Sequence, residues 1–124
     1  MKIITENYVS LETAKLLKDK GFSQSCTTYY LDREIFHHHY GEVIPKDKQI
    51  YAAPSQAMAM QWLREKNIII MPKPKRFNAE GKCTVWGCDI WFKNSHIELQ
   101  SDFHSYKEAC ETAIKSVVLA FVIK

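Results

Sequence analysis

Three consecutive histidines, His37, His38 and His39, are the first side chains here that could do chemistry. On a β-strand, His37 and His39 would share a face and could bind one transition-metal ion. Such a site needs three or four supported ligands, and the other candidates are Asp32, Glu34, Glu42, His96 and His104. Because a run of identical polar residues is typical of a solvated surface, we predict no metal and keep His37 and His39 as the residues to test.

The pair Cys83 and Cys88 is a second candidate, for metal or redox chemistry. The spacing is not the C-x₂-C knuckle of structural zinc sites, and it places the two thiols on opposite faces of a strand. They could share a metal only across a bulge, which Gly87 would permit. We therefore predict reduced cysteines, with these two buried as small apolar side chains.

The segment Lys73-Pro74-Lys75-Arg76 concentrates positive charge in what we expect to be a loop. Such a loop could follow a phosphate backbone while nearby tryptophans stack on bases. The net charge is only +3, however, and the other lysines are spread along the whole sequence. We favour a solvated basic loop, with a nucleic-acid-binding module using Lys73, Lys75 and Arg76 as the alternative.

Asp89 is the last candidate, a carboxylate on the same strand face as Trp91. Beside an indole ring its pKa could be raised, which would let it act as an acid. The alternative is a carboxylate on the solvent side of a one-sided sheet. The sequence places no second carboxylate or histidine beside it. We therefore predict no catalytic residue and no cofactor, and we favour a protein that is not an enzyme.

Three helices are predicted from caps and apolar stripes. The broad apolar face of the last one requires it to dock on a sheet, and Glu111 and Lys115 are expected to form a surface i,i+4 pair. The helices are 11–20, capped by Ser10 and ended by Gly21; 54–66, capped by Ser55 or begun by Pro54; and 105–122, opened by the capping box from Ser105 to Glu108.

Strands are predicted where β-branched and aromatic residues cluster, at 26–31, 68–71, 83–92 and 96–100. The apolar run 68–71 is typical of a central strand, and Pro72 and Pro74 should end it because neither can donate to a ladder. In 83–92, alternation puts Thr84, Trp86, Cys88, Ile90 and Phe92 on the core face. The segment 35–44 is either a strand or an irregular loop.

These elements predict an α+β fold in a single domain spanning residues 1–124. Its length and its 46% hydrophobic content suit one core. An antiparallel sheet of three to five strands, built on 68–71, 83–92 and 96–100, packs on the three helices. The opposite sheet face, with Trp91, Val85 and Tyr29, is apolar enough to predict a homodimer or another protein partner there.

The sequence also predicts a cytoplasmic protein without a membrane segment. Its first residues lack a long apolar core and a cleavage site, so we expect no signal peptide. Its longest apolar run, 117–123, is far shorter than the ~20 residues that cross a bilayer.

Three segments, 8–22, 54–65 and 105–109, together resemble a family of small uncharacterised proteins found in phages and prophages of gut bacteria. In that family a helix begins with tyrosine, glutamate and alanine, which correspond here to Tyr106, Glu108 and Ala109. That helix follows a pair of strands, in the same order as in this sequence. The shared motifs are caps, core stripes and turns. The resemblance therefore implies a phage-related origin and brings no catalytic residue with it.

The sequence thus favours a non-enzymatic accessory or protein-interaction protein of phage or prophage origin. The alternative is the nucleic-acid-binding module built on 73–76, and an enzyme built on the histidine run is the third hypothesis.

Overall fold

The computed structural model describes residues 6–23, 27–31, 33–37 and 50–121. It confirms the predicted α+β class, with three helices and antiparallel sheets. Within the described residues, no helix combines the length and apolarity that a membrane crossing needs. The elements in chain order are α1 (Leu11–Asp19), β1 (Thr28–Leu31), β2 (Glu34–His37), β3 (Ile50–Ala52), α2 (Gln56–Arg64), β4 (Ile68–Phe77), β5 (Cys83–Phe92), β6 (Ser95–Phe103) and α3 (Tyr106–Phe121).

A serine side chain caps the start of each helix, as the sequence predicts. Each hydroxyl accepts a hydrogen bond from a backbone N–H that would otherwise lack an intrahelical partner. Glu108 completes the capping box by accepting from the backbone N–H of His104 at 3.2 Å, one residue before the cap. The serine contacts are Ser10 Oγ with the N–H of Thr13 at 3.2 Å, Ser55 Oγ with that of Met58 at 3.1 Å and Ser105 Oγ with that of Glu108 at 3.0 Å.

One sheet has the strand order β4–β5–β6, and both of its strand pairs are antiparallel. Because its strands are the longer ones, we call it the larger sheet. A tight turn pairs Phe92 with Ser95 and so fixes the β5–β6 register, and the strands predicted at 83–92 and 96–100 form a hairpin. The structure corrects the position of β4, which was expected to be central and is an edge strand. Alternation holds at the middle of β5, where Cys88 and Ile90 are buried. It fails near the start of β5, where Val85 is buried and Thr84 is exposed.

The prediction that Pro72 and Pro74 end their strand is wrong, because β4 continues through both to Phe77. On an edge strand, alternate backbone N–H groups face away from the neighbouring strand, so two prolines of the same parity remove no ladder bond. The β4–β5 register then shifts between Pro74 and Arg76, where Lys75 is the extra residue. A second shift follows between Arg76 and Phe77, and the β5–β6 register shifts between Trp86 and Cys88, so Val85 lies where both ladders of β5 are irregular.

A second antiparallel sheet, with strand order β2–β1–β3, accompanies the first. The strand predicted at 26–31 is confirmed as β1 from Thr28 to Leu31. Of the ambiguous segment 35–44, the part up to His37 belongs to β2, and the rest lies outside the described residues. The hydroxyl of Tyr30 in β1 donates to the backbone carbonyl of Val9 at 2.7 Å and so ties this sheet to the start of α1.

Helix α3 lies at the centre of the core. It packs on the larger sheet together with α2, while α1 packs on α3 and β3. Small residues let these elements approach closely, and one buried cluster joins them. The fully buried residues of α3 are Ala109, Cys110, Ala113, Ile114, Val117 and Val118.

The predicted surface pair between Glu111 and Lys115 is wrong. Glu111 Oε1 instead accepts hydrogen bonds from the backbone N–H of Ser10 at 2.8 Å and from the hydroxyl of Thr13 at 2.7 Å. Lys115 pairs with Glu12 at 2.7 Å. Because α1 docks across α3, its first turn meets Glu111, and the carboxylate also suits the positive end of the α1 dipole.

We expect Glu111→Ala to destabilise the fold by about 2–3 kcal/mol, because it leaves the Ser10 N–H and the Thr13 hydroxyl without their charged acceptor. Glu111→Gln should cost less, since an amide oxygen can still accept. Urea unfolding measures the loss. The control Lys115→Ala removes a more exposed ion pair and should cost under about 1 kcal/mol. Equal losses for Glu111→Ala and Lys115→Ala would contradict the role given to Glu111.

Candidate functional site

The side of the larger sheet that faces away from the helices carries the candidate site, which we call the outer face. Strand alternation turns every second residue of β4, β5 and β6 toward it. Cross-strand pairing arranges its residues in two rows, Ile69–Trp91–His96 and Met71–Asp89–Glu98. The outer face is defined by Ile69, Met71, Lys73, Asp89, Trp91, His96 and Glu98.

The apolar centre of the outer face consists of Ile69, Met71 and Trp91. Their exposed fractions are 41%, 52% and 41%, high values for three large apolar residues on neighbouring strands. Trp91 is exposed as the sequence predicts. Val85, expected beside it, is buried, and Tyr29 belongs to β1 of the other sheet. Ile69 and Met71 occupy this face because β4 alternates where a fully buried strand was expected.

Charged residues next to the apolar centre are connected through Asp89. Its Oδ1 lies 3.1 Å from Lys73 Nζ and 3.2 Å from His96 Nε2. Lys73 also reaches Glu98 Oε2 at 3.5 Å. The His96 ring stacks on Trp91 with 4.3 Å between ring centroids and 28° between planes. Trp91 is therefore held on one side by a ring that Asp89 itself fixes.

Of the two alternatives that the sequence leaves for Asp89, the one with a raised pKa is wrong. Partial burial acts to raise the pKa of its carboxyl, but the hydrogen bonds and charges of Lys73 and His96 outweigh that effect and lower it. The hydrogen bond to Asp89 correspondingly raises the pKa of Lys73. Asp89 is therefore an ion-pair partner at neutral pH and holds no proton to donate.

Sequence reasoning missed His96 and Glu98 as neighbours of Asp89. The signal was present in the hairpin: counting back from the Phe92–Ser95 pair at the turn brings Trp91 opposite His96 and Asp89 opposite Glu98. A strand read alone shows which residues share a face, and only the register of its partner shows what lies beside them.

The basic residues Lys73, Lys75 and Arg76 lie on strand β4 and not in a loop, which corrects the prediction. Each is matched by acidic side chains: Lys73 by Asp89 and Glu98, and the other two by Asp102, with Arg76 at 3.1 Å. A hydrogen bond from Lys75, with its charge, lowers the pKa of Asp102. These pairings weaken the positive field that nucleic-acid binding requires.

The structure places the two cysteines of the second candidate in different surroundings. Cys88 is fully buried, as predicted, and Cys83 is partly exposed. Burial raises the pKa of the Cys88 thiol to about 12, with further contributions from Cys110 and Asp89. A thiol with that pKa is protonated at neutral pH and is a poor nucleophile or metal ligand.

The histidine candidates are only partly described. His37 lies on the exposed strand β2, where its Nδ1 is 2.8 Å from the hydroxyl of Thr28 and its ring meets Tyr8 edge-on at 5.4 Å. His39 lies outside the described residues. Among the residues that the structure describes, no group of three or more His, Cys, Asp or Glu side chains is placed to hold a metal ion. Metal binding by His37 and His39 stays untested.

Comparison of the chain with protein-family models, with curated proteins and with solved structures found no match. The outer face and its chemistry are therefore the basis on which a function is proposed for the chain.

The lowered pKa of Asp89 gives a pH prediction. A carboxyl whose pKa is lower in the folded state contributes stability above its ordinary pKa of about 4, and this is lost as the pH falls through the folded value. The difference in unfolding free energy between the native chain and Asp89→Asn should therefore be steady near neutral pH and shrink below about pH 4.

Urea unfolding at several pH values measures this difference, with Glu80→Gln on the exposed β4–β5 turn as the control. A difference that grows as the pH falls would mean a raised pKa for Asp89 and would contradict the assignment.

Proposed function

We propose that this chain is a non-enzymatic protein-interaction protein that binds a partner protein with its outer face. The observation that carries the proposal is the adjacency of Ile69, Met71 and Trp91, all well exposed on two paired strands. The resemblance to phage and prophage proteins adds an accessory role in a phage or prophage setting to the proposal.

The composition of the outer face supports protein binding. Binding surfaces commonly combine an apolar centre, enriched in tryptophan and methionine, with a polar rim that holds few unpaired charges. Here Lys73, Asp89 and Glu98 form that rim and are already paired with one another. A partner can therefore cover the apolar centre without burying an isolated charge.

Trp91 is suited to be the main anchor. Its ring is held against His96, and His96 is held by Asp89, so little side-chain freedom remains to be lost on binding. The exposed 41% of Trp91 is the area that a partner would cover.

The same contacts argue against catalysis by a serine- or cysteine-type nucleophile at this place. The two side chains that contact His96 are Asp89 and Trp91, and neither carries a hydroxyl or thiol that His96 could activate. Asp89 is ionised and bound to Lys73, so it does not supply a proton.

Nucleic-acid binding through Lys73, Lys75 and Arg76 is the second candidate. The exposed rings of Trp91 and Phe77 favour it, since aromatic rings on a sheet can stack on bases. The acidic partners of the three cations count against it. A gel-shift experiment with single-stranded DNA and RNA at low salt tests it. Binding that falls steeply with salt and is lost in Lys75→Ala would replace the protein-interaction proposal.

A photo-crosslinking amino acid placed at Met71 tests the proposal in the cells that express the chain. We expect one dominant adduct, because Met71 is the most exposed residue of the apolar centre. Its mass identifies the occupant: a doubled mass indicates a second copy of this chain, and any other mass another protein. The control position is Leu119 on α3, which is apolar and 55% exposed but lies away from the outer face.

Met71→Lys is the matched functional variant. The new lysine would lie opposite Asp89 and in the same row as Glu98, so the fold should tolerate it while the apolar centre is interrupted. We expect the adduct formed from a crosslinker at Ile69 to disappear in this variant. Equal adducts from positions 71 and 119, or none from 71, would overturn the proposal.

A further inference from the structure

The larger sheet has two edges, and they differ in their capacity to accept another strand. The edge of β4 contains Pro72 and Pro74, which lack N–H donors, and the irregularity at Lys75. Prolines and bulges are the usual protection of an edge against pairing. The edge of β6 has no proline in its nine residues, and the part from Ser95 to Leu99 pairs regularly with β5.

Within the described part of the chain, no strand pairs with the side of β6 that faces away from β5, and the backbone groups on this open side follow from the pairing of β5 with its neighbours. Pro72 cannot donate to Cys88, so the hydrogen-bonded pair of β4 and β5 is the next one, Met71 with Asp89. The N–H and C=O of Asp89 therefore point toward β4, and Asp89 and Glu98 form a non-hydrogen-bonded pair. Glu98 in turn points its own N–H and C=O away from β5. The Gln100 amide, which donates to the Glu98 carbonyl at 3.4 Å, lies on that open side.

The regular part of β6 is self-complementary about Ile97. Consider two β6 strands paired antiparallel so that Ile97 of one copy lies opposite Ile97 of the other. His96 of each copy then lies opposite Glu98 of the other copy. Both residues turn their backbone groups to the open edge, so each such pair exchanges two hydrogen bonds, one of which replaces the long contact of the Gln100 amide with the Glu98 carbonyl. The imidazole and the carboxylate meet on the outer face as complementary side chains.

We propose that two copies of this chain join through their β6 edges, antiparallel and about a two-fold axis at Ile97, into one six-stranded sheet. Ile97, which is 38% exposed, then packs against itself on the helix-covered side. Between Leu99 and Phe103, β6 pairs irregularly with β5. The contact between the two copies is therefore limited to the regular part of β6 around Ile97. Such a small interface makes a weak, concentration-dependent dimer. The proposal is independent of the proposed function, because it leaves Ile69, Met71 and Trp91 uncovered.

A cysteine at the axis tests this register. In the pair centred on Ile97, the two residues at position 97 form a non-hydrogen-bonded pair with Cα atoms about 4.5 Å apart, a separation that a disulfide can bridge. Ile97→Cys, in a background with Cys26→Ser and Cys83→Ser, should give a disulfide-linked dimer on mild oxidation. The readout is the fraction of dimer on a non-reducing gel.

The controls follow from the same symmetry. Ser95 lies opposite Leu99 of the second copy, so Ser95→Cys and Leu99→Cys should each remain monomeric alone and should crosslink when mixed. Glu98→Pro removes an outward N–H without breaking the ladder to β5, as Pro72 does in β4. It should abolish the crosslink at position 97. Circular dichroism and sedimentation velocity establish that each variant is folded and give its association state.

No crosslink at position 97 in a folded variant would overturn the proposal. Equal crosslinking at positions 95, 97 and 99 would also overturn it, because random collision does not select a register. The outcome is separate from that of the proposed function: Met71→Lys should leave the crosslink at position 97 unchanged. A dimer that Met71→Lys removes would instead assign the contact between copies to the outer face.

Discussion

Alternation of side chains along β5 is the constraint on which the rest of the structure depends. It directs Cys88 and Ile90 into the core against α3 and directs Asp89 and Trp91 to the other side. Because β5 is the central strand, its neighbours must match that division, and Lys73 and His96 are brought to the same carboxylate. One strand therefore sets both the packing of the helices and the composition of the outer face.

The features that the sequence predicted are those with short-range causes. Serine caps and the apolar face of α3 depend on residues a few positions apart, and both are present. The errors have long-range causes. Pro72 is tolerated because β4 is at an edge, and Glu111 turns inward because α1 crosses it. Neither the strand order nor that crossing is visible in a local pattern.

The candidate site was predicted in part for the same reason. Trp91 and Asp89 follow from alternation in one strand, but their environment follows from pairing between strands. Lys73 and His96 make Asp89 an ion-pair partner instead of a candidate acid, and His96 also holds the ring of Trp91. The charges on this face are matched, so its apolar centre is what a partner would recognise.

Oxidative footprinting of Met71 tests the binding role of the outer face most directly. Met71 is 52% exposed and Met58, on α2, is 37% exposed, so both should react with hydroxyl radicals in the purified chain. In intact cells, a bound partner should protect Met71 and leave Met58 as reactive as before. Equal reactivity of Met71 in cells and in the purified chain would contradict the assignment of the outer face as a binding surface.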